Sequence, residues 1–279
     1  MRGTFAEDIR VERVGDGRYR AELDHGWDLM PLPQGGIVAS FALRASAEEL
    51  KDPAQELRTT TAVFAGQVSA GELEIDVRVL RSGRSATQVL AEVRNAGEQA
   101  GATTLSVFGS KRRGPSFVDV EPPEVPRPQD CRSYRDPPPP GVEAFPPTPF
   151  WTKVEGRLAL GHYFWDDYVP SRSDTASWLR FDDPPRAPDG SLDPLGVLTL
   201  ADRMPNSIGE LVGRQPRQWF APSADLTVHL FEPARTEWIL AHDRAHWADD
   251  GWASAETTLW DENANVVAYA TQMMLFTYL

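Results

Sequence analysis

The sequence predicts an α+β protein made of two similar halves, each with one apolar helix and an antiparallel sheet. Apolar residues recur with helical spacing in two separate stretches, 37–50 and 193–206. Each stretch is followed by runs in which apolar and polar residues alternate, the pattern of half-buried antiparallel strands. The same order of elements occurs twice at an offset of about 165 residues, which indicates an internal structural duplication.

Composition limits the classes of protein that the chain can belong to. Its 279 residues suffice for one large or two ordinary domains, and 41% hydrophobic with 25% charged residues is typical of a globular protein. A net charge of -13 argues against nucleic acid or an anionic membrane as the main partner. We also expect no membrane span and no secretory signal, because the chain lacks suitable apolar runs. The single cysteine, Cys131, excludes an intramolecular disulfide and suits a cytoplasmic protein.

The first half is expected to occupy residues 1–110. Residues 8–24 alternate weakly and predict one or two strands. Gly35 and Gly36 then open the helix at 37–50, and such a pair either allows a ligand to approach free N–H groups or makes a tight turn for packing. Four further strands are predicted at 58–67, 73–79, 87–94 and 102–108.

A connector and a second half follow. Residues 111–150 hold 12 of the 24 prolines, and such a segment favours extended structure packed across a surface. Residues 151–279 then repeat the first half's order of elements. The predicted strands of this half are 157–165, 177–181, 223–229, 237–246, 252–260 and 266–277.

The second apolar helix, DPLGVLTLADRMPN, contains one acid, Asp202, beyond its N-cap Asp193. Asp193 and Pro194 are good N-cap and first-position residues, and Pro205 with Asn206 is predicted to end the helix. Its apolar residues are Leu195, Val197, Leu198, Leu200, Ala201 and Met204, so burial is expected almost all round. Burying the Asp202 carboxylate without partners costs free energy. We therefore expect other groups to donate hydrogen bonds to this carboxylate, or the carboxylate to have a functional role.

Four runs carry a resemblance to a known family. Residues 177–204 resemble the strand, loop and central helix that end in a catalytic Asp in the type II acyl-CoA thioesterases and their thioesterase-like relatives. Residues 223–233 are similar to that family's strand with a catalytic hydroxyl, and 266–276 to its last strand with a catalytic Gln. PQGGIVAS at 33–40 is similar to the entry of its first helix. The resemblance covers most of the chain except the connector, and it implies a double hotdog fold.

The resemblance implies a catalytic set of Asp202, Ser223 and Gln272. Ser223 stands where the family commonly has Thr; either hydroxyl can donate and accept, although Ser lacks the stiffening β-branch. The three residue types can hold a water for direct attack on a thioester, and no His in the sequence near Ser223 supports an acyl-enzyme. Gly35 and Gly36 are weaker candidates for backbone oxyanion or substrate binding.

The implied activity is hydrolysis of acyl-CoA to free acid and CoA. The resemblance also implies a place in lipid or fatty acid metabolism, a homodimer or higher homo-oligomer, and no cofactor. Two alternatives stay open: a non-catalytic hotdog protein that binds acyl-CoA or a lipid-like ligand, and a hydratase or dehydratase, whose Asp–His loop the sequence lacks. The first-half helix has Ala42 near the place of Asp202 and no acid at that place, which predicts one working site, in the second half.

The candidate residues also have ordinary structural interpretations. Asp202 could cap a loop or pair with an Arg, Gln272 could satisfy strand-edge groups, and Ser223 could be a simple strand hydroxyl. His242 and His246 have a spacing that binds zinc on a helix, but their stretch predicts a strand, so no metal site is expected. The basic run 111–113 could contact a CoA phosphate, although a solvated strand end is the favoured interpretation.

Overall fold

The computed structural model describes residues 4–29, 31–50, 52–142, 148–163, 165–213 and 219–278. The elements of the first half are α1 (Phe5–Asp8), β1 (Glu12–Gly15), β2 (Arg18–Leu23), α2 (Gly35–Leu50), β3 (Glu56–Phe64), β4 (Gly71–Ser82), β5 (Ala86–Asn95) and β6 (Ala102–Gly109). Those of the second half are β7 (Val154–Leu160), β8 (Asp174–Phe181), α3 (Pro194–Ala201), α4 (Pro205–Val212), β9 (Trp219–Phe220), β10 (Asp225–Leu230), β11 (Ile239–Asp249), β12 (Trp252–Asp261), β13 (Val266–Leu275) and β14 (Thr277–Tyr278).

Twelve of these strands form one antiparallel sheet that runs through both halves. Their order is β1-β2-β4-β5-β6-β3-β10-β13-β12-β11-β8-β7, and β14 pairs separately with β9. The first six strands belong to the first half and the last six to the second, so the halves join where β3 pairs with β10. The α+β class with a double hotdog arrangement is therefore confirmed. The domain limits predicted above, 1–110 and 151–279, stay a prediction.

Strand register repeats at a constant offset between β3–β6 and β10–β13. Thr61 on β3 lies opposite Thr227 on β10, 166 residues later, and their hydroxyls are 2.9 Å apart. The bulge between Val79 and Arg81 in β4 recurs between Ala245 and Trp247 in β11. The duplication therefore preserves not only the order of elements but also their irregularities.

The helices lie on the inner face of the sheet. α2 packs on β4, β5 and β6, whereas α3 packs on β10, β12 and β13, and α4 covers β8, β11 and β12. α2 and α3 also pack against each other: the Ser40 hydroxyl lies 3.4 Å from the Leu195 carbonyl and 3.5 Å from the Thr199 hydroxyl. The ends of these two helices consequently meet at the centre of the molecule. No helix in the described ranges is long and apolar enough to cross a bilayer.

The helix predicted at 193–206 is two helices. Its start is as predicted, because the Asp193 side chain accepts from the Leu195 N–H at 2.9 Å. However, α3 ends at Ala201, and Asp202 is its C-cap with φ -85° and ψ 71°. The prediction that Pro205 and Asn206 end the helix is wrong. Pro205 instead begins α4, because a proline needs no N–H partner in a first helical turn.

The other predicted elements match the structure to within a few residues, with two exceptions. The strand predicted at 157–165 is β7, which ends at Leu160 because Gly161 follows with φ 108°. The strand predicted at 223–229 begins at Asp225, and Ser223 before it makes one isolated bridge to Met274. Ser223 therefore precedes β10 and lies outside the ladder of hydrogen bonds that this strand makes.

Substitution of a buried residue on β10, the strand that joins the two halves of the sheet, should show how much this strand contributes to the free energy of unfolding. Leu226 on β10 is 0% exposed on the inner face, whereas Leu105 on β6 is 52% exposed on the outer face. We expect Leu226→Ala to lower the free energy of unfolding by about 2–5 kcal/mol through lost burial and a cavity. Leu105→Ala should change it by no more than about 0.5 kcal/mol. Urea unfolding followed by circular dichroism measures both, and equal effects would contradict the assignment of the core.

Candidate active site

The Asp202 carboxylate joins the two halves. Asp202 lies at the C-terminal end of α3 and is 6% exposed. Its Oδ2 accepts from the Gly36 N–H of α2 at 2.8 Å, and its Oδ1 accepts from Gln272 Nε2 at 2.6 Å. The partially positive N-terminus of α2 thus faces the carboxylate, which is the favourable arrangement for an anion. Asp202, for which the sequence indicated no partner, therefore has hydrogen-bond donors from both halves of the chain.

Two glycines allow this close approach. A Cβ atom built on Gly35 would lie 3.0 Å from Asp202 Oδ2 and 2.7 Å from Cζ of Phe64. A Cβ atom on Gly36 would lie 3.0 Å from the Thr199 Cα and 3.2 Å from the Asp202 Cβ. The glycine pair is therefore explained by close packing against the carboxylate and against the backbone of α3.

Gln34 completes the contact between the helix ends, and the sequence interpretation gave it no role. Its Nε2 donates to the Thr199 carbonyl at 2.5 Å and to the Asp202 carbonyl at 2.8 Å. Its Oε1 accepts from the Ile37 N–H at 3.2 Å. One buried amide thus satisfies the last carbonyls of α3 and an early N–H of α2. Its position immediately before the glycine pair was the available signal.

Ser223 and Gln272 meet Asp202 at this point. Gln272 is buried on β13, and its Nε2 donates to both Asp202 Oδ1 and Ser223 Oγ. The buried Oε1 of Gln272 has no hydrogen-bond partner in the described part of the chain. Ser223 is half-buried, as are Gly35 and Phe64, so these residues mark the side from which solvent reaches the carboxylate. The structure thus brings together all three residues of the implied catalytic set.

Burial sets the proton affinity of the carboxylate. Desolvation raises the pKa of Asp202, while hydrogen bonds from Gly36, Gln272, Gly35 and Ser223 act in the opposite direction and only partly offset it. A carboxylate whose pKa is raised is a stronger proton acceptor when it is ionised. This property suits a general base.

The first half does not carry a second copy of the set. α2 begins at Gly35 and α3 at Pro194, an offset of 159 residues, so the position of α2 that corresponds to Asp202 is Leu43, next to the Ala42 that the sequence indicated, and it is not an acid. The Leu57–Phe108 pair corresponds to the Ser223–Met274 bridge. Ser106 corresponds to Gln272 and shares a hydrogen bond with Thr60 at 2.9 Å. The acid and the amide are thus confined to the second half.

The remaining candidates from the sequence lie elsewhere. His242 is on β11 and contacts Asp174 of β8, while His246 lies 3.1 Å from Glu256 of β12. Within the described residues, no group of three or more His, Cys, Asp or Glu could hold a metal ion. The basic run 111–113 is exposed after the end of β6.

The continuous sheet around two central helices, with one polar site where those helices meet, defines the chain as a double hotdog protein. The description "Acyl-CoA thioesterase N-terminal domain" matches residues 23–109, and "Acyl-CoA thioesterase C-terminal domain" matches residues 128–276. The chain belongs to the acyl-CoA thioesterase family. The resemblance drawn from the sequence is therefore confirmed.

Solved structures show the same fold along nearly the whole chain. A hot dog fold protein of unknown function from Alicyclobacillus acidocaldarius is 22% identical, with a TM-score of 0.83 and 99% of each chain covered. A tesB protein from Mycobacterium avium subs paratuberculosis is 17% identical, with a TM-score of 0.75 and 98% of each chain covered. An acyl-CoA thioesterase II from Mycobacterium marinum is 19% identical, with a TM-score of 0.71 and 99% coverage of both. No curated protein matches the sequence.

An alanine at Gly36 should separate the two helix ends. Replacing a helical glycine by alanine normally stabilises a protein by about 1 kcal/mol. We expect the opposite sign here, a loss of about 1–3 kcal/mol, because the new methyl group would press on α3 and Asp202. Gly114→Ala is the matched control, since a Cβ there meets nothing within 4 Å. Chemical denaturation measures both, and a stabilised Gly36→Ala protein would contradict the packing argument.

Proposed function

We propose that the protein is an acyl-CoA thioesterase that hydrolyses its substrate by direct attack of a water bound at Asp202. One observation carries this proposal: a buried carboxylate is fixed by Gly36 and Gln272 beside a half-buried hydroxyl, that of Ser223. Membership of the acyl-CoA thioesterase family supports the reaction class. The cytoplasmic location, homo-oligomeric state and role in lipid metabolism stay predictions.

In the proposed reaction, a water donates one hydrogen bond to Asp202 and the other to the unpartnered Oε1 of Gln272. As the water oxygen attacks the thioester carbonyl carbon, its proton moves to the Asp202 carboxylate. When the tetrahedral intermediate collapses, the carbon–sulfur bond breaks. The proton held by Asp202 then passes to the CoA sulfur, which returns the carboxylate to its ionised form.

The hydrogen bonds already formed in the site determine which groups remain available for the other roles. The Gly36 N–H already donates to Asp202, so its proposed task is to hold the base in place rather than to bind an oxyanion. Ser223 Oγ accepts from Gln272, and its single proton stabilises the ionised Asp202 before the reaction. Once Asp202 has taken the proton of the water, the serine proton is free to donate to the developing oxyanion. Gly35, next to Phe64 on the half-buried side, would line the approach of the thioester.

Removal of the carboxylate charge tests the proposal. We expect Asp202→Asn to lower kcat/KM for acyl-CoA hydrolysis by about 100-fold or more, because general base catalysis is lost. Release of CoA thiol from a series of acyl chain lengths is the assay, with Ser106→Ala, at the first-half counterpart of Gln272, as control. Parental rates in Asp202→Asn would refute the role of Asp202. Thermal stabilisation by acyl-CoA without turnover in the parent protein would instead favour a binding protein.

The same variant should not be unstable. Because burial raises the pKa of Asp202, its stabilising contribution is present at low pH and is lost as the pH rises through that pKa. At pH 7 an uncharged asparagine avoids the free-energy cost of burying an ionised carboxylate. The Tm of Asp202→Asn should therefore equal or exceed that of the parent, which separates a catalytic defect from unfolding.

The pH dependence of hydrolysis should reveal the same group. We expect kcat/KM to fall at acid pH, with the midpoint above the ordinary Asp pKa of about 4. The Ser223 hydroxyl lowers the pKa of Asp202, so Ser223→Ala should move this limb to higher pH. Ser223→Thr keeps the hydroxyl and should leave the limb in place. A shift towards lower pH in Ser223→Ala would contradict the assignment.

A further inference from the structure

A second polar group lies buried beneath α4, next to the proposed active site. Arg203 immediately follows Asp202 and is 8% exposed, while Asp243 on β11 is 0% exposed. Asp243 lies directly opposite Thr257 on β12 and Thr175 on β8, so the three side chains form one row across neighbouring strands. α4 covers these same three strands. We call Arg203, Asp243 and Thr257 the inner polar cluster.

This cluster has unused hydrogen-bonding capacity. Within the described ranges, Nε and Nη1 of Arg203, both carboxylate oxygens of Asp243 and Oγ1 of Thr257 are buried and have no hydrogen-bond partner. Burial of such groups without partners costs considerable free energy, so they are rare in proteins unless a ligand or water occupies them. Burial also raises the pKa of Asp243, which the charge of Arg203 and the neighbouring Thr257 hydroxyl offset only in part.

One nitrogen of the Arg203 guanidinium is held in place by Tyr134. Nη2 of Arg203 lies 3.5 Å from the Tyr134 hydroxyl, and the guanidinium carbon is 5.8 Å from the centre of the Tyr134 ring. The Tyr134 hydroxyl in turn contacts the Ser177 hydroxyl at 2.5 Å. Arg203 is therefore anchored through one nitrogen, while its remaining N–H groups are available to a ligand.

The fold itself does not require these polar residues. At the 166-residue strand offset, the first half has Val77 and Ala91 in place of Asp243 and Thr257. Those apolar residues build the same elements with the same register. The acid and the threonine of the inner polar cluster thus occur in the half that carries Asp202 and are replaced by apolar residues in the other.

The cluster lies on the same buried face of the sheet as Gln272 of the proposed site. Gln272 lies opposite Ala255 on β12, and Thr257 is two residues further along the same buried face. Strand spacing places the Cα atoms of Gln272 and Asp243 about 12 Å apart. The intervening position on β12 holds only an alanine methyl group, and Arg203 approaches from the α3 end beside Asp202.

We propose that the inner polar cluster recognises a hydroxyl group on the acyl chain of the substrate, which makes hydroxyacyl-CoA thioesters the preferred class; this rests on the proposed function. A hydroxyl can donate to Asp243 and accept from Arg203 through one oxygen atom. Because the charges of Arg203 and Asp243 cancel, the site suits a neutral group. A carboxylate would bring an uncompensated charge beside Asp243.

Matched substrates and a matched variant test this inference. The substrates are octanoyl-CoA, its β-hydroxy and terminally hydroxylated forms, and a form with a terminal carboxylate. The variant Arg203→Ile with Asp243→Val removes both charges and installs at 243 the valine that the first half has at the corresponding position. Replacement of both charges together by apolar residues is usually tolerated. Thr60→Val with Ser106→Ala removes a buried polar pair from the first half instead and serves as the control.

We expect the parent protein to show at least a tenfold higher kcat/KM for one hydroxylated form than for octanoyl-CoA, since a site built for a hydroxyl disfavours the analogue that lacks it. The Ile/Val variant should lose this preference, and the control should keep it. If the Ile/Val variant does not fold, Thr257→Ala should reduce the preference. No preference in the parent, or an unchanged preference in a folded variant, would overturn the inference and leave water as the occupant.

Binding separates this inference from the proposed function. Calorimetry with the non-hydrolysable thioether analogues of the same four ligands should give the same order of affinity, whether or not the parent hydrolyses thioesters. Absence of turnover with retained hydroxyl preference would refute the proposed function alone. Turnover without hydroxyl preference would refute the inference alone.

Discussion

The hydrogen bond from the Gly36 N–H to the Asp202 carboxylate is the contact on which the organisation of this molecule depends. Asp202 lies at the C-terminal end of α3, where the dipole of its own helix disfavours a negative charge. The N-terminus of α2 supplies the compensating positive end. This requires the two helix ends to meet without intervening side chains, which only glycines at 35 and 36 permit. Gln34 then satisfies the backbone groups that remain at both ends.

Duplication has produced two halves with the same geometry and different tasks. The first half contributes a helix N-terminus, and the second contributes an acid, an amide and a hydroxyl. Because β3 pairs with β10, the halves share one sheet, and the relative position of their helices is fixed by a continuous ladder. A site assembled from both halves needs this rigidity, since its hydrogen bonds tolerate only small displacements.

The site-bearing half also carries the groups that are most costly to bury. The raised pKa values of Asp202 and Asp243 mean that their ionised forms oppose folding at neutral pH. The first half avoids this cost with Leu43 and Val77 at the corresponding positions. Retention of costly groups in one half, where an apolar solution is available to the same fold, is typical of functional sites rather than of stabilising cores.

The sequence by itself determined the α+β class, the duplication, most strands and the start of α3. Each of these depends on contacts between residues close in the chain, such as the alternation along a strand or the bond from Asp193 to the Leu195 N–H. The family resemblance also named Asp202, Ser223 and Gln272 together. That Pro205 begins a helix rather than ending one could not be read locally, because a proline is compatible with both positions.

Only the tertiary structure decided how the site is held. The partners of Asp202 lie far along the chain at Gly36 and Gln272, and strand register determines which side chains meet. Register also aligned Asp243 with Thr257 beneath α4 and revealed the apolar counterparts of both in the first half. Such hydrogen bonds join residues that no local pattern relates, so their geometry emerges only once the two halves have closed around their helices.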